Sequence, residues 1–313
     1  MQMMEARSMA SWKAYAAGIA WATIFGLSFL VTKDALEVFS PVSLLFFRFA
    51  LATAVMVGLE LAGVVRLRYA GKPRRPLLLT CLLQPVLYFT LETFGLRETA
   101  SSTAGLILGA MPAAVAALSV PMLKERLSAR QVLGLALSIA GVVLIVMQGG
   151  SVPGGPESGT AVGRTIGVLL LVGALASAAF YNVYSRKASA HYAPAETTFA
   201  MMASGAAFFG ALALVESLAG ARPLGPATPA AWGAVAYLGI LSSVVAFFLV
   251  NLSLSRLKAA QSAIFGTLTT LVALVAGVTL RGEAFGAAQA LGAAAIVAGV
   301  WLTNARALRG GAA

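Results

Sequence analysis

Two ionisable residues interrupt otherwise apolar stretches: Arg48 in Leu44-Leu45-Phe46-Phe47-Arg48-Phe49, and Glu92 in Tyr88-Phe89-Thr90-Leu91-Glu92-Thr93. A charge is costly in such surroundings, so each is a functional candidate by default. The Arg48 guanidinium can hold a carboxylate through a planar fork of donors. The Glu92 carboxylate can hold an ammonium group or a coupling proton, and a zwitterion such as an amino acid would satisfy both. The competing expectation is that the two simply pair and tie two neighbouring helices together. Tyr88 lies four residues before Glu92 and shares its helix face. Trp21, Thr23, Phe25, Gln84, Pro112, Ser177, Tyr181, Ser242, Ser243, Phe247 and Thr267 stand near the middle of their apolar stretches. Aromatic rings with a few hydroxyls and amides suit a partly apolar small molecule, although ordinary helix packing would use the same residues. The candidate substrate-binding set is Arg48, Glu92, Tyr88, Trp21, Phe25, Gln84, Tyr181, Ser243 and Phe247. Gln84-Pro85 and Pro112 interrupt backbone hydrogen bonding, which lipid tolerates only where other groups or a cavity compensate. Asn182 and Asn251 are expected to line an inner gate or to cross-link helices.

Other chemistries find little support. Cys81 is the sole cysteine and His191 the sole histidine, so neither a disulfide nor a multi-cysteine metal site can form within the chain. Cys81 reads as a small buried hydrophobe, and His191 lies in a predicted loop without a triad partner. Asp34 is the sole aspartate, which leaves no paired aspartates for intramembrane catalysis. No G-x4-G-K-[ST] phosphate loop is present. No catalytic residue, metal or cofactor is expected.

The elements that position these residues follow from composition. The chain is 59% hydrophobic and 11% charged, against about 25% charged in a soluble domain, so a bilayer must serve as solvent for much of the surface. Crossing it takes roughly 20 mostly apolar residues per helix. Ten such stretches occur, near 15–32, 41–61, 76–95, 101–123, 131–147, 165–185, 194–215, 230–252, 259–280 and 286–303. They are continuous and too long for β-barrel strands, and the first reads as a retained helix rather than a signal peptide. The fold class expected is all-α and membrane-spanning, with ten helices. The Gly/Pro/Ser-rich segment containing Gly149, Gly150, Pro153, Gly154, Gly155 and Pro156 divides the chain. The expected units are 12–148, a linker at 149–164, 165–305, and a tail at 306–313.

Basic residues give an orientation. The net charge of +11 does not point to nucleic acid, because the charges sit in short connections. One side receives Arg7, Lys13, Arg66, Arg68, Lys72, Arg74, Arg75, Lys124, Arg126, Arg130, Arg186, Lys187, Arg256, Lys258, Arg306 and Arg309; the other receives Lys33, Arg97, Arg164, Arg222 and Arg281. The rich side is expected to be cytoplasmic, with both termini there and the linker in the periplasm.

The halves share a pattern, E-x5-Q-x-L-G-x-A-x4-G. A shift of 158 carries Glu125, Gln131, Leu133, Gly134, Ala136 and Gly141 onto Glu283, Gln289, Leu291, Gly292, Ala294 and Gly299. Five spans per half is an odd number, so the second copy must enter the membrane inverted, a design of secondary transporters. Glycines seven apart, and small residues every fourth position (Gly105, Gly109, Ala113, Ala117; Gly286, Ala290, Ala294, Ala298), predict close helix packing. Glu125 and Glu283 are expected to cap the helix that follows each.

Ten spans in two halves, a glutamate before each half's last helix, Trp21-Ala-Thr-Ile-Phe25-Gly26, Arg48 after a proline-led second span and Pro112 thirteen residues before Glu125 together resemble the drug/metabolite transporter superfamily, in particular its EamA-type ten-helix members. One departure is that Thr270 stands at the position matching Pro112, which puts a second kink in doubt. The resemblance implies alternating-access transport of amino acids, other metabolites, cations or drugs. The expected function is export of a small metabolite, an amino acid or similar zwitterion, across the inner membrane. The alternatives are a multidrug or cationic-amine efflux carrier and, in another class, a channel or scaffold. Expected partners are a small-molecule substrate, the lipid bilayer and protons, without nucleic acid, in a monomer or weak dimer.

Overall fold

A computed structural model describes residues 2–123, 128–147, 160–220, 228–256, 265–283 and 285–309. The described residues are helical, without a β-strand among them. The helices are α1 (Gln2–Ala35), α2 (Pro41–Leu61), α3 (Arg74–Glu98), α4 (two pieces, Ser101–Leu108 and Met111–Leu123), α5 (Ala129–Met147), α6 (Ala161–Ala188), α7 (Pro194–Leu218), α8 (Pro229–Arg256), α9 (Phe265–Arg281) and α10 (Ala287–Arg309). Seven helices, α1–α4 and α6–α8, contain stretches long and apolar enough to cross a membrane; α5, α9 and α10 contain shorter apolar stretches. The expected start of the ninth span near 259, Glu125, the linker from 148 to 159 and Arg222 lie outside the described residues.

Local sequence sets the ends. Ser40 caps α2 through its hydroxyl, which accepts from Ser43 N, and Pro41 supplies the first helical φ. Thr160 and Thr228 cap α6 and α8 in the same way. Gly63 (φ 73) and Gly220 (φ 78) directly follow the caps of α2 and α7 in the left-handed conformation that stops a helix.

The interruptions are equally local. Proline lacks an N–H and its ring collides with the carbonyl four residues back. The stretch 101–123, expected as one helix, therefore breaks at Gly109-Ala110: Pro112 lies four residues after Leu108, where the first piece ends. Pro85 lies four residues after Cys81, and there α3 widens to a π-helical segment over Leu82–Tyr88. Ser177 of α6 donates to the Leu83 carbonyl inside this bulge at 2.7 Å. A second π-helical segment, Tyr237–Ala246, lies in α8. Where the sequence has Thr270 in place of a proline, α9 runs unbroken, and the Thr270 hydroxyl donates to Gly105 O of α4 at 2.9 Å.

Helix pairing brings the parts of the chain together: α1 packs on α8 and α9, α6 on α3 and α4, α2 on α7, α4 on α9, and α5 on α10. In the α5–α10 contact the glycines do what their spacing predicts. A Cβ at Gly141 would come within 2.6 Å of Gly292 O, and one at Gly299 within 2.6 Å of Ser138 N. Ser138 Oγ approaches Ile296 O at 3.4 Å, across a sequence separation of 158. Large apolar side chains such as Leu61, Met147, Val162, Leu214, Leu218 and Leu280 face outward, while Arg48 and Glu92 are buried. This distribution suits a bilayer.

Candidate functional site

Seven helices converge on one cavity of about 760 Å³, its mouth included, lined by residues that include Trp21, Phe25, Arg48, Gln84, Tyr88, Glu92, Tyr181 and Phe247. An edge-to-face aromatic chain forms much of its wall: Trp21 meets Phe25 at 5.8 Å, Phe25 meets Phe247 at 5.1 Å, and Phe247 meets Phe89 at 5.8 Å between ring centroids.

Arg48 is 2% exposed. Its Nε donates to Ser243 Oγ and one terminal nitrogen to Ser242 Oγ, both at 2.8 Å. The guanidinium carbon lies 4.3 Å from the centre of the Phe89 ring, a favourable seat for a cation. Adjacent residues of an α-helix point about 100° apart; here Ser242 and Ser243 both reach the same guanidinium from the widened segment of α8. Glu92, 3% exposed, accepts from Thr93 Oγ1 at 3.0 Å.

The expected Arg48–Glu92 pair does not form: no ion pair within 4.0 Å joins them. The reason lies in the two serines of α8, which draw the guanidinium toward the second half of the chain, while Glu92 turns to its own neighbour. A buried guanidinium and a buried carboxyl therefore border the same cavity without a direct ion pair between them. Two further lining groups, Trp21 Nε1 and Gln84 Oε1, are buried without a hydrogen-bond partner. A buried polar group in this condition costs about 1–3 kcal/mol, and a polar ligand could supply the missing partners.

Of the nine candidate binding residues, eight line the cavity, and Ser243 stands behind Arg48. Ser242 shares that supporting position. Thr23 is exposed on the opposite face of α1 and bonds Ile19 O. Pro112 breaks α4, and Ser177 satisfies the α3 bulge; neither borders the cavity. Thr267 also lies off the cavity wall, its hydroxyl buried without a partner. Sequence reasoning missed Ser28, Phe29, Phe89, Met111 and Thr269, which also line the cavity. Phe89 was detectable as the neighbour of Tyr88; the others are ordinary helix residues without a chemical signal. Asn182 lines the cavity and bonds Ala178 O, whereas Asn251 is a cross-link: it accepts from Tyr181 and Ser185 and donates to Thr198.

Polar ties surround the cavity at the helix ends. Glu283 does not cap the helix that follows it. It accepts from Ser101 N (3.0 Å), Ser102 N (2.9 Å) and Ser101 Oγ (2.5 Å), so it caps α4 from the end of α9. The helix after it is capped by Gln289, which accepts from Gly286 N at 3.1 Å, just as Gln131 caps α5 through Ser128 N at 2.9 Å. Burial raises the Glu283 pKa, but the Ser101 and Ser102 hydrogen bonds outweigh it and hold the carboxyl below its usual range. Arg281 pairs with Asp34 and with Glu37 at 3.1 Å. Lys33 donates to the terminal carbonyls of α3 at Leu96 (2.8 Å), Arg97 (3.1 Å) and Thr99 (2.7 Å), and Arg186 donates to Leu254 O near the end of α8.

Comparison with known proteins bears on this arrangement. The sequence profile described as the EamA-like transporter family matches residues 12–147 and again 165–305. An uncharacterized transporter of Bacillus subtilis, YcxC, is 36% identical over 296 residues, covering 93% of this chain and 92% of its own. A protein of Streptantibioticus cattleyicolor named "Probable terminal-alkyne amino-acid exporter" is 27% identical, over 71% of this chain and 70% of its own. An S-adenosylmethionine/S-adenosylhomocysteine transporter of Chlamydia trachomatis is 32% identical over a shorter stretch, 42% of this chain and 40% of its own. A chain of known crystal structure, 22% identical, shares the fold with a TM-score of 0.64 over 97% of this chain and 99% of its own.

Proposed function

The chain belongs to the EamA-like transporter family, and we propose that it is a secondary transporter which exports a small zwitterion, an amino acid or a close relative, across the bacterial inner membrane by alternating access. The observation that carries the cargo assignment is the pair of buried, mutually unpaired charges on one cavity. Arg48 offers its fork to a carboxylate and Glu92 offers an acceptor to an ammonium group. Trp21 Nε1 and Gln84 Oε1 supply one more donor and one more acceptor. The names of two relatives refer to molecules that carry an amino-acid group, in keeping with this choice. An amine without a carboxylate fits less well, since the buried guanidinium would repel it.

The proposed scaffold is ten crossings in two inverted five-helix repeats. Five features support it. The shift of 158 exchanges the two sides of the α5–α10 contact, carrying Gly141 to Gly299 and Gly292 back to Gly134. It relates the Ser128–Gln131 cap to the Gly286–Gln289 cap, and the carbonyl of Leu96, which receives Lys33, to that of Leu254, which receives Arg186. It carries the π-helical segment of α3 into that of α8. The pairing of α1 with α8 and α9 repeats as α6 with α3 and α4. An inverted pair of bundles can exchange conformations, which gives one cavity access to either face in turn.

The test is counterflow in proteoliposomes loaded with unlabelled amino acids. Transient accumulation of labelled substrate above equilibrium supports a carrier, while simple equilibration indicates a channel. The topology is tested with reporter fusions after residues 150 and 310: the scaffold requires them on opposite faces, and a common face refutes it.

A further inference from the structure

Away from the central cavity, the connection between α2 and α3 and the start of α3 carry Arg66, Arg68, Lys72, Arg74 and Arg75 without an acidic residue among them. The connection is held in one shape. Glu196 of α7 accepts from Arg68 N at 2.9 Å and from Lys72 Nζ at 2.5 Å, Tyr69 OH donates to Glu196 O at 2.7 Å, and Tyr192 OH donates to Pro73 O at 3.2 Å. The Lys72 charge is thereby matched. Arg66, Arg68, Arg74 and Arg75 are exposed and make no ion pair.

Two features at this place call for an anion. Arg74 and Arg75 form the first residues of α3, where Pro73 provides no side-chain cap and the first turn has no acidic residue. A helix N-terminus carries partial positive charge and unsatisfied N–H groups, so two arginines there add like charge. Beside them opens a separate cavity of about 670 Å³, its open mouth included, with Lys72, Arg74 and Tyr192 among its polar lining and Leu77 and Leu78 on its apolar side. Leu78 is 65% exposed and Leu82, one turn further along α3, is 47% exposed. The apolar wall thus continues from the basic rim along the lipid-facing side of a membrane helix.

We propose that this cavity binds the headgroup of an anionic phospholipid, with the phosphate at Arg74 and the α3 N-terminus and the acyl chains along Leu78 and Leu82. A soluble phosphate would use the basic rim alone, whereas a zwitterionic lipid would bring its own cationic nitrogen among the arginines; an anionic lipid uses both rim and wall without that repulsion. The hydrogen bonds to Glu196 and Pro73 favour this loop shape before the lipid arrives, which reduces the ordering cost of binding. Its location on the arginine-rich side puts it against the leaflet where anionic lipids attract basic segments.

Native mass spectrometry of the whole protein in neutral detergent tests this, titrated with phosphatidylglycerol, with phosphatidylcholine of the same chains, and with glycerol phosphate. Phosphatidylglycerol is expected to bind at one site more tightly than the other two. Arg74→Gln should weaken it about fivefold, the worth of one basic residue near a membrane surface, while Arg256→Gln, on the same side but outside the cavity, should leave it unchanged. Leu78→Gln should weaken the lipid and leave glycerol phosphate unaffected. Melting temperatures in neutral detergent, equal for wild type and variants, establish that folding is intact. Equal retention of the two lipids, undiminished binding by Arg74→Gln, or displacement of the lipid by equimolar glycerol phosphate would each overturn the assignment.

Discussion

Replacing Arg48 or Glu92 separates a recognition role from a structural one, because each charge has its own local support. In Arg48→Ala the Glu92 carboxyl retains Thr93 as its hydrogen-bond partner but loses the nearby positive charge of Arg48. The other losses within the protein are the two hydrogen bonds that Arg48 donates to the serines of α8 and its seat on Phe89; they are offset in part because a buried charge no longer needs desolvation. Folded yield should therefore persist. Glu92→Gln keeps size and removes one charge, with the same expectation. For cargo the arithmetic differs. Removing one partner of a buried, hydrogen-bonded charge pair costs about 2–5 kcal/mol, which is roughly 30-fold to several thousandfold in affinity at 1.4 kcal/mol per tenfold. Counterflow with each variant in proteoliposomes, paired with size-exclusion profiles and thermal melts, is the assay. Each single variant should be monodisperse and melt near wild type, and each should lose zwitterion counterflow. Arg48→Lys should recover part of it, since an ammonium keeps the charge and loses the fork. Normal transport by both single variants would remove these residues from the site; parallel loss of folded protein would make them structural.

Other consequences are open to measurement. Gly141→Val and Gly299→Val should each destabilise the α5–α10 contact by about 1–3 kcal/mol, the usual cost of overpacking, and lower the melting temperature by similar amounts because the contacts are equivalent under the shift of 158; a large inequality would argue against that equivalence. The lowered Glu283 pKa means that its capping of α4 stabilises the fold above the ordinary carboxylate range and is lost as pH falls through the depressed value, so acid should lower the wild-type melting temperature over that interval more than that of Glu283→Gln. Ser177→Ala leaves the Leu83 carbonyl without its α6 donor and should cost about 1–3 kcal/mol, read by thermal unfolding in detergent.

The elements were legible because the signals that define them are local. Apolar length gave α2 its two ends at Pro41 and Leu61, and the proline at 112 marked where α4 would be interrupted. The cavity wall was legible in part for the same reason: aromatic and amide side chains near the middle of a span have few other places to go. What escaped the sequence was long-range. Glu283 precedes α10 by a few residues and was expected to cap it, yet a carboxylate can serve any N-terminus brought near, and the fold brings α4. Arg48 and Glu92 looked like partners because their helices are consecutive; the serines of α8 lie almost two hundred positions away from Arg48 in the chain, and only a widened helical turn presents both of them to it. Neither the bulge in α8, which contains no proline, nor its consequence for Arg48 has a signature in sequence.

On the proposed inverted arrangement, the symmetry of the backbone contrasts with the asymmetry of the charges. The partner of α2 in the second half is α7, whose residues Pro194–Leu218 include no lysine or arginine. The shift that carries Leu96 to Leu254 carries Glu92 to Val250, which lines the same cavity. One repeat therefore supplies both charges and the other answers with uncharged side chains and the two hydroxyls behind Arg48. A symmetric scaffold is what alternating access requires, since each bundle must adopt the shape of the other. A fully symmetric lining would hold a zwitterion equally well in two opposed orientations. Charges from one repeat fix a single orientation, and because the serines that hold Arg48 come from the other repeat, a carboxylate that competes for the guanidinium acts directly on the contact between the two moving halves. Ser242→Ala/Ser243→Ala should then leave both charges in place and alter the rate of counterflow more than the apparent affinity for the zwitterion. A change confined to affinity would show that the serines position Arg48 and take no part in the movement.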